Sequence, residues 1–170
     1  MPPSRGKSAV ALAVDIGNSQ TAIGVYAPRG LKQIATIRIP TDLTTTDDIL
    51  HSLLSPHLSK WQIARIAISS VVPALVEAWT EYARRHSKKG AVVIDASLVP
   101  VTRIDIPRPY EVGIDRLINT WMGYKRYGGS LIVVDMGTAT TFDVVDHDGA
   151  YIGGVISPGI RWFLGGGTHD

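Results

Sequence analysis

The chain contains no cysteine, which excludes disulfides and every thiolate metal site and makes a reducing, cytoplasmic setting the default expectation. It has no run near the ~20 apolar residues that span a bilayer, so no membrane segment is expected. Arg5 and Lys7 before the apolar residues 9–14 imitate a short leader, but Asp15 interrupts the run and no small-residue cleavage site follows. The five histidines, His51, His57, His86, His147 and His169, lack His-x-x-x-His or similar ligand spacing, which argues against structural zinc. Charge of one sign is also scarce. The formal net charge is +2, and the basic cluster Arg84, Arg85, His86, Lys88 and Lys89 closes an expected helix, where cations favour the dipole. No nucleic-acid partner is expected.

What is present is a globular composition, 45% hydrophobic and 19% charged, in 170 residues, enough for one domain or two small ones. One pattern occurs twice: LAVDIGNSQTAIGVY at residues 12–26 and LIVVDMGTATTFDVVD at residues 131–146. Each is an apolar run, an aspartate, a glycine two residues on and a β-branched run, which reads as strand, tight turn, strand. At an offset of 120 (135 − 15), Val14, Asp15, Gly17, Thr21 and Val25 align with Val134, Asp135, Gly137, Thr141 and Val145. A glycine turn aims backbone N–H groups at one concavity suited to an anion. Asn18, Ser19, Thr21, Thr138, Thr140 and Thr141 add short polar groups able to bond phosphate oxygens, and Asp15 and Asp135 are hard oxygen ligands suited to Mg²⁺. Either copy alone is also what an ordinary polar turn looks like; the duplication favours a pair of phosphate cradles gripping one nucleotide–metal complex.

The rest of the chain alternates. Strands are expected at residues 9–15, 21–26 and 31–39. A helix from the Thr44–Asp48 caps to about Leu54 follows, with Ile49, Leu53 and Leu54 apolar and Pro56 ending it. A buried strand at residues 65–72, a helix at 74–86 showing Leu75, Trp79 and Tyr82 on one face, and a strand at 91–94 complete β-β-β-α-β-α-β, a mixed sheet flanked by helices. An extended proline-bearing segment, residues 101–109, leads to a helix at about 117–127 that Gly128-Gly129 terminates. Trp121, Met122 and Tyr124 on it read as packing residues, and Gly153-Gly154 as a place of close approach. Asp148-Gly149 marks a turn before a strand at 151–157, and Pro158-Gly159 the start of another helix. Asp115 has two readings of about equal weight, general base or N-cap of a helix beginning at Arg116.

The ordered motifs Asp15-Ile16-Gly17-Asn18, Gly113-Ile114-Asp115-Arg116, residues 135–141 (DMGTATT) and residues 153–160 (GGVISPGI) closely resemble type III pantothenate kinase over roughly residues 10–160. That family belongs to the acetate/sugar kinase, actin and chaperone ATPase superfamily. The resemblance implies an α/β fold of two duplicated, ribonuclease-H-like (actin-like ATPase) domains with mixed sheets, here expected at residues 1–110 and 111–170. It implies transfer of the γ-phosphoryl group of ATP to pantothenate, the first step of coenzyme A synthesis, with Mg²⁺ and a monovalent cation, K⁺ or NH₄⁺, in a cytoplasmic homodimer. By motif match, Asp15, Ile16, Gly17, Asn18, Ser19, Gln20, Thr21 and Ala22 form the first phosphate loop and Thr138 contacts nucleotide. Asp135 binds the monovalent cation. Gly113, Ile114, Asp115 and Arg116 line the pantothenate pocket, with Asp115 as general base and Arg116 facing the substrate carboxylate.

Two departures from the family pattern stand out. Many members carry a tyrosine seven residues before the glycine of Gly-x-Asp-Arg, where this chain has Ile106; Tyr110 is nearby but off register. Only 35 residues (170 − 135) follow Asp135, so the second domain is expected to be incomplete, C-terminally truncated and open on one apolar sheet face, with residues 161–170 (RWFLGGGTHD) unable to supply the helix. The alternatives are a non-catalytic nucleotide-binding accessory or regulatory relative, an inactive truncated copy, or a sugar or acetate kinase of the superfamily, which Gly-x-Asp-Arg disfavours.

Overall fold

The computed structural model describes residues 7–101 and 103–159. Contacts divide the chain into two compact units, Met1–Ile94 and Asp95–Asp170. The first is built on β1 (Ser8–Ile16), β2 (Gln20–Tyr26), β3 (Gln33–Pro40), β4 (Trp61–Ser70) and β5 (Ala91–Val93), in the order β3-β2-β1-β4-β5. β1 takes β2 as an antiparallel partner and β4 as a parallel one, so the sheet is mixed and the element order is the expected β-β-β-α-β-α-β. Its alternation sets the faces: Val10, Leu12, Val14 and Ile16 are buried, whereas Ala9, Ala13 and Asp15 are exposed.

Helices α1 (Asp47–Leu58) and α2 (Val76–His86) cover the buried face. Leu50, Leu54 and Leu58 of α1, with Leu75, Trp79 and Tyr82 at and beyond the start of α2, pack into the cluster holding Ile66 and Ile68 of β4. Each fully buried leucine there contributes about 2 kcal/mol. The Thr46 hydroxyl oxygen caps α1 by accepting from the Ile49 N–H, and Arg85 of α2 pairs with Asp47 and Asp48 in its first turn.

Three expectations need correction. Pro56 does not end α1, which continues to Leu58; burial of Leu58 outweighs the one backbone bond a late proline removes. The core stripe is Leu50-Leu54-Leu58, and Ile49 and Leu53 are 43% and 45% exposed. β3 and β4 begin at Gln33 and Trp61 rather than 31 and 65; Leu31, at φ 47°, belongs to the preceding turn.

The second unit holds α3 (Ile114–Tyr127) and the antiparallel sheet β6 (Leu131–Met136), β7 (Ala139–Val145) and β8 (Tyr151–Pro158). Gly128 and Gly129, at φ 66° and 67°, end α3 as expected. Residues 103–105 belong here too, since Asp105 N–H donates to Tyr151 O and Tyr151 N–H to Arg103 O, each at 2.8 Å. α3 lies on the face of Leu131 and Val133, close enough that a Cβ on Gly123 would sit 3.1 and 3.2 Å from them. On the other face Ile132, Val134, Met136, Phe142 and Val155 are exposed, the open apolar face expected from the sequence. Met122 is also 48% exposed, against the packing role expected of it. The helix expected after Pro158-Gly159 falls outside the described residues.

Candidate active site

The first turn is tied down from within its unit. Gly17 N–H donates to Gln20 O at 3.1 Å, closing Gly17-Asn18-Ser19. The Thr41 hydroxyl donates to Gly17 O at 2.7 Å, and Thr41 N–H to Ser19 O at 3.1 Å. Because that hydroxyl proton is engaged, Thr21 is the donor in the 3.0 Å Thr21–Thr41 contact. Directing the turn's carbonyls inward removes negative dipole ends from its outer side, which is what an anion requires. Asp15, Asn18, Ser19 and Gln20 are exposed, Ala22 and Gly17 half-buried. Ile16 and Thr21 are buried at 0% and 2% exposure, so they reach outward only through their backbone.

The second turn is not a copy of the first. Ile16 pairs with Thr21 across the first hairpin, but Met136 pairs with Thr140 across the second, one residue tighter. A one-residue change of register exchanges faces. Thr21 therefore shares a face with Ile16, whereas its counterpart Thr141 shares one with Asp135, the face that α3 covers; Asp15 lies opposite Ala22, on the face away from α1 and α2. The equal spacing read from the sequence hides this. Thr138 is exposed, and its carbonyl accepts from Gly159 N–H at 3.1 Å. A Cβ on Gly159 would fall 2.4 Å from that oxygen, so only glycine fits there.

The first turn of α3 carries the remaining site residues. Gly113 is the N-cap and Asp115 lies one residue inside the helix, which rules out the capping alternative for Asp115. Its carboxylate, half-buried, accepts from the Arg116 N–H at 2.8 Å. Asn119 follows one turn later on the same stripe, and its Nδ2 donates to Asp135 Oδ2 at 3.1 Å. The residue that orients Asp135 is thus Asn119, which no sequence motif singles out.

Arg116 is anchored to β7. Its Nε–H donates to Asp143 Oδ1 at 2.8 Å, and Nη2 lies 2.6 Å from the same oxygen. The Tyr151 hydroxyl donates to that oxygen at 2.8 Å, with the Tyr151 ring centroid 5.9 Å from the guanidinium carbon. Burial favours the neutral form of Arg116, but the bond to Asp143 and its charge prevail and raise the pKa, so Arg116 stays charged. A Cβ on Gly154 would meet Arg116 Nη2 and Phe142 O, both at 2.5 Å. The close approach expected at Gly153-Gly154 is this one. A cleft of about 500 Å³ lined by His51, Trp61, Tyr82 and His86 lies where β1 and β4 begin, away from Gly17, and includes none of the motif residues.

A family model described as type III pantothenate kinase matches residues 11–165. Type III pantothenate kinase of Cereibacter sphaeroides is 46% identical over 160 residues, 90% of this chain and 61% of that protein. Those of Thermomicrobium roseum and Desulfotalea psychrophila are 38% and 43% identical over 88% of this chain and 59% of theirs. The chain therefore spans about three fifths of the length of the relatives it matches. Among solved structures, a protein described as a 2-dehydro-3-deoxygalactonokinase from Sinorhizobium meliloti superposes with a TM-score of 0.52 at 16% identity, over 86% of this chain and 52% of its own. A reductive activator for a corrinoid, iron-sulfur protein gives 0.52 at 11% identity, over 91% and 32%. At such identities these two speak for the fold.

Proposed function

The chain belongs to the type III pantothenate kinase family, and from that membership we propose that it transfers the γ-phosphoryl group of ATP to the terminal hydroxyl of pantothenate. The supporting observation is the placement of Asp115. It stands in the first turn of α3, its carboxylate bonded locally to the next N–H, and Asn119 one turn further along the same helix donates to Asp135.

In this reading Asp115 accepts the proton of the attacking hydroxyl as its oxygen bonds to the γ-phosphorus and the bond to ADP breaks. Gly113, Ile114 and Arg116 line the pantothenate pocket beside it. The turn at Gly17, with Asn18, Ser19 and Gln20, holds ATP phosphates through N–H groups and short side chains, and Thr138 contacts the nucleotide. Exposed carboxylates at strand ends are hard oxygen donors, which suits Asp15 to Mg²⁺ and Asp135, already oriented by Asn119, to K⁺ or NH₄⁺. These cations, when bound, neutralise the charge that develops on the phosphates. The protein acts as a cytoplasmic homodimer.

Pantothenate-dependent ADP release by the purified chain, with Mg²⁺ and K⁺ present, tests this. Release only in the complete mixture is expected, reduced when Na⁺ replaces K⁺. Equal release without pantothenate would overturn the reading.

A further inference from the structure

Among the described residues of the second unit Asp143 is the most deeply buried acid, with a side chain only 1% exposed, and the proposed chemistry gives it no task. It occupies an inward position of β7, where the alternation calls for an apolar residue. Its Oδ1 receives Arg116 Nε–H and the Tyr151 hydroxyl, each at 2.8 Å. Two buried atoms of this cluster have no hydrogen-bond partner among the described residues: Asp143 Oδ2 and Arg116 Nη2, the latter near Oδ1 but off the bonding direction. Leaving a buried donor and a buried acceptor unsatisfied is unfavourable. An arrangement that does so in a guanidinium gripped by its Nε edge has a donor held ready for an incoming acceptor.

We infer that Asp143 is the positioning residue that fixes Arg116 so that its Nη2 edge receives the carboxylate of the substrate, with Tyr151 bracing the shared oxygen and Gly154 providing the space. This rests on the pantothenate kinase reading and adds to it. Recognition of the acid end of the substrate originates in β7 and β8, behind the residue that touches it. A planar guanidinium pairs with a carboxylate in a directional way, so its value depends on being held in one orientation. Asp143 and Tyr151 supply that constraint at the Nε side. Since Arg116 directly follows Asp115, the same constraint steadies the helix turn that carries the base.

The decisive comparison is Asp143→Asn, nearly isosteric and able to accept from Nε–H, assayed with pantothenate and with an analogue bearing an alcohol in place of the carboxylate. For pantothenate, KM should rise about tenfold while kcat stays within about threefold; KM for the neutral analogue should not move. Tyr151→Phe, which removes one donor and keeps the ring, should shift the same ratio less. A merely structural Asp143 would raise or leave both KM values together, and that result overturns the inference. Binding is followed apart from turnover, by titrating pantothenate against the Arg116 Nε–H resonance in NMR. Binding without turnover by the unaltered chain removes the kinase reading and leaves this one. Equal pantothenate affinity in the unaltered and Asp143→Asn chains removes this one, and no binding by the unaltered chain removes both.

Discussion

Thr41, at the exit of β3, donates its hydroxyl proton to the carbonyl of Gly17, 2.7 Å away and on the turn that closes β1. The same hydroxyl oxygen accepts from Thr21, so one side chain joins β2, β3 and the turn. Thr41→Val keeps the shape and removes both bonds, leaving Gly17 O without its donor. We expect a loss of about 1–2 kcal/mol in denaturant unfolding and a raised KM for ATP; Thr41→Ser should restore both.

Asp115→Asn should reduce kcat by about 10²–10⁴, the range assigned to a positioned proton acceptor. The bond its carboxylate makes is to the adjacent N–H, within one helix turn, and an amide oxygen can accept it too. The thermal midpoint should therefore hardly change. Near-normal kcat in a folded variant would remove Asp115 from the base role.

Asn119→Ala deletes the donor to Asp135 Oδ2. If Asp135 holds the monovalent cation, the K⁺ concentration giving half-maximal rate should rise severalfold, with kcat at saturating K⁺ retained. An unchanged K⁺ dependence would separate Asp135 from the cation.

Burial pushes the phenols of Tyr82 and Tyr151 up to about 12, the bond and charge of Asp143 adding to the effect at Tyr151. A phenol whose folded pKa lies above its unfolded value of ~10 stabilises the fold below that value and ceases to as pH climbs through the folded one. Stability should therefore fall between about pH 10 and 12. Absorbance at 295 nm should show two of the six tyrosines ionising late, together with unfolding.

Gly154→Ala places a Cβ 2.5 Å from the fixed carbonyl oxygen of Phe142 and from Arg116 Nη2. We expect about 1–3 kcal/mol of destabilisation, the usual range for overpacking, and a weaker hold on pantothenate. Far-UV circular dichroism with thermal melts reads the first effect, and KM the second.

The sequence made the hairpins, the strand and helix order, and the stop at Gly128-Gly129 legible, because alternation and glycine act within a few residues. It did not reveal which of two adjacent stripes of α1 faces the core, since Ile49 and Leu50 are equally apolar and only the position of the sheet decides. Nor could it show the one-residue difference between the two turns, which exists only in the pairing of Ile16 with Thr21 and Met136 with Thr140. At the site, Asp115 and Asp135 were legible through motifs. Asn119, Asp143 and Tyr151 were not, because their roles arise when α3 packs on the β6-β7-β8 sheet and joins residues distant in the chain.

The central place of β1 also bears on how the chain is made. Ile16 pairs with Thr21 on one side, a partner synthesised moments later, and with Ser70 on the other. The meander β1-β2-β3 is thus complete while β4 is still inside the ribosome, and the free edge of β1 waits as a row of unpaired backbone groups, the surface on which nascent chains associate. Closing the long loop to β4 costs more entropy than closing the hairpin, and α1, which lies within that loop, buries Leu50, Leu54 and Leu58 against the same sheet. Helix docking and protection of the β1 edge therefore arrive together, when residues 61–70 emerge, and the outer edge of β4 then waits for β5.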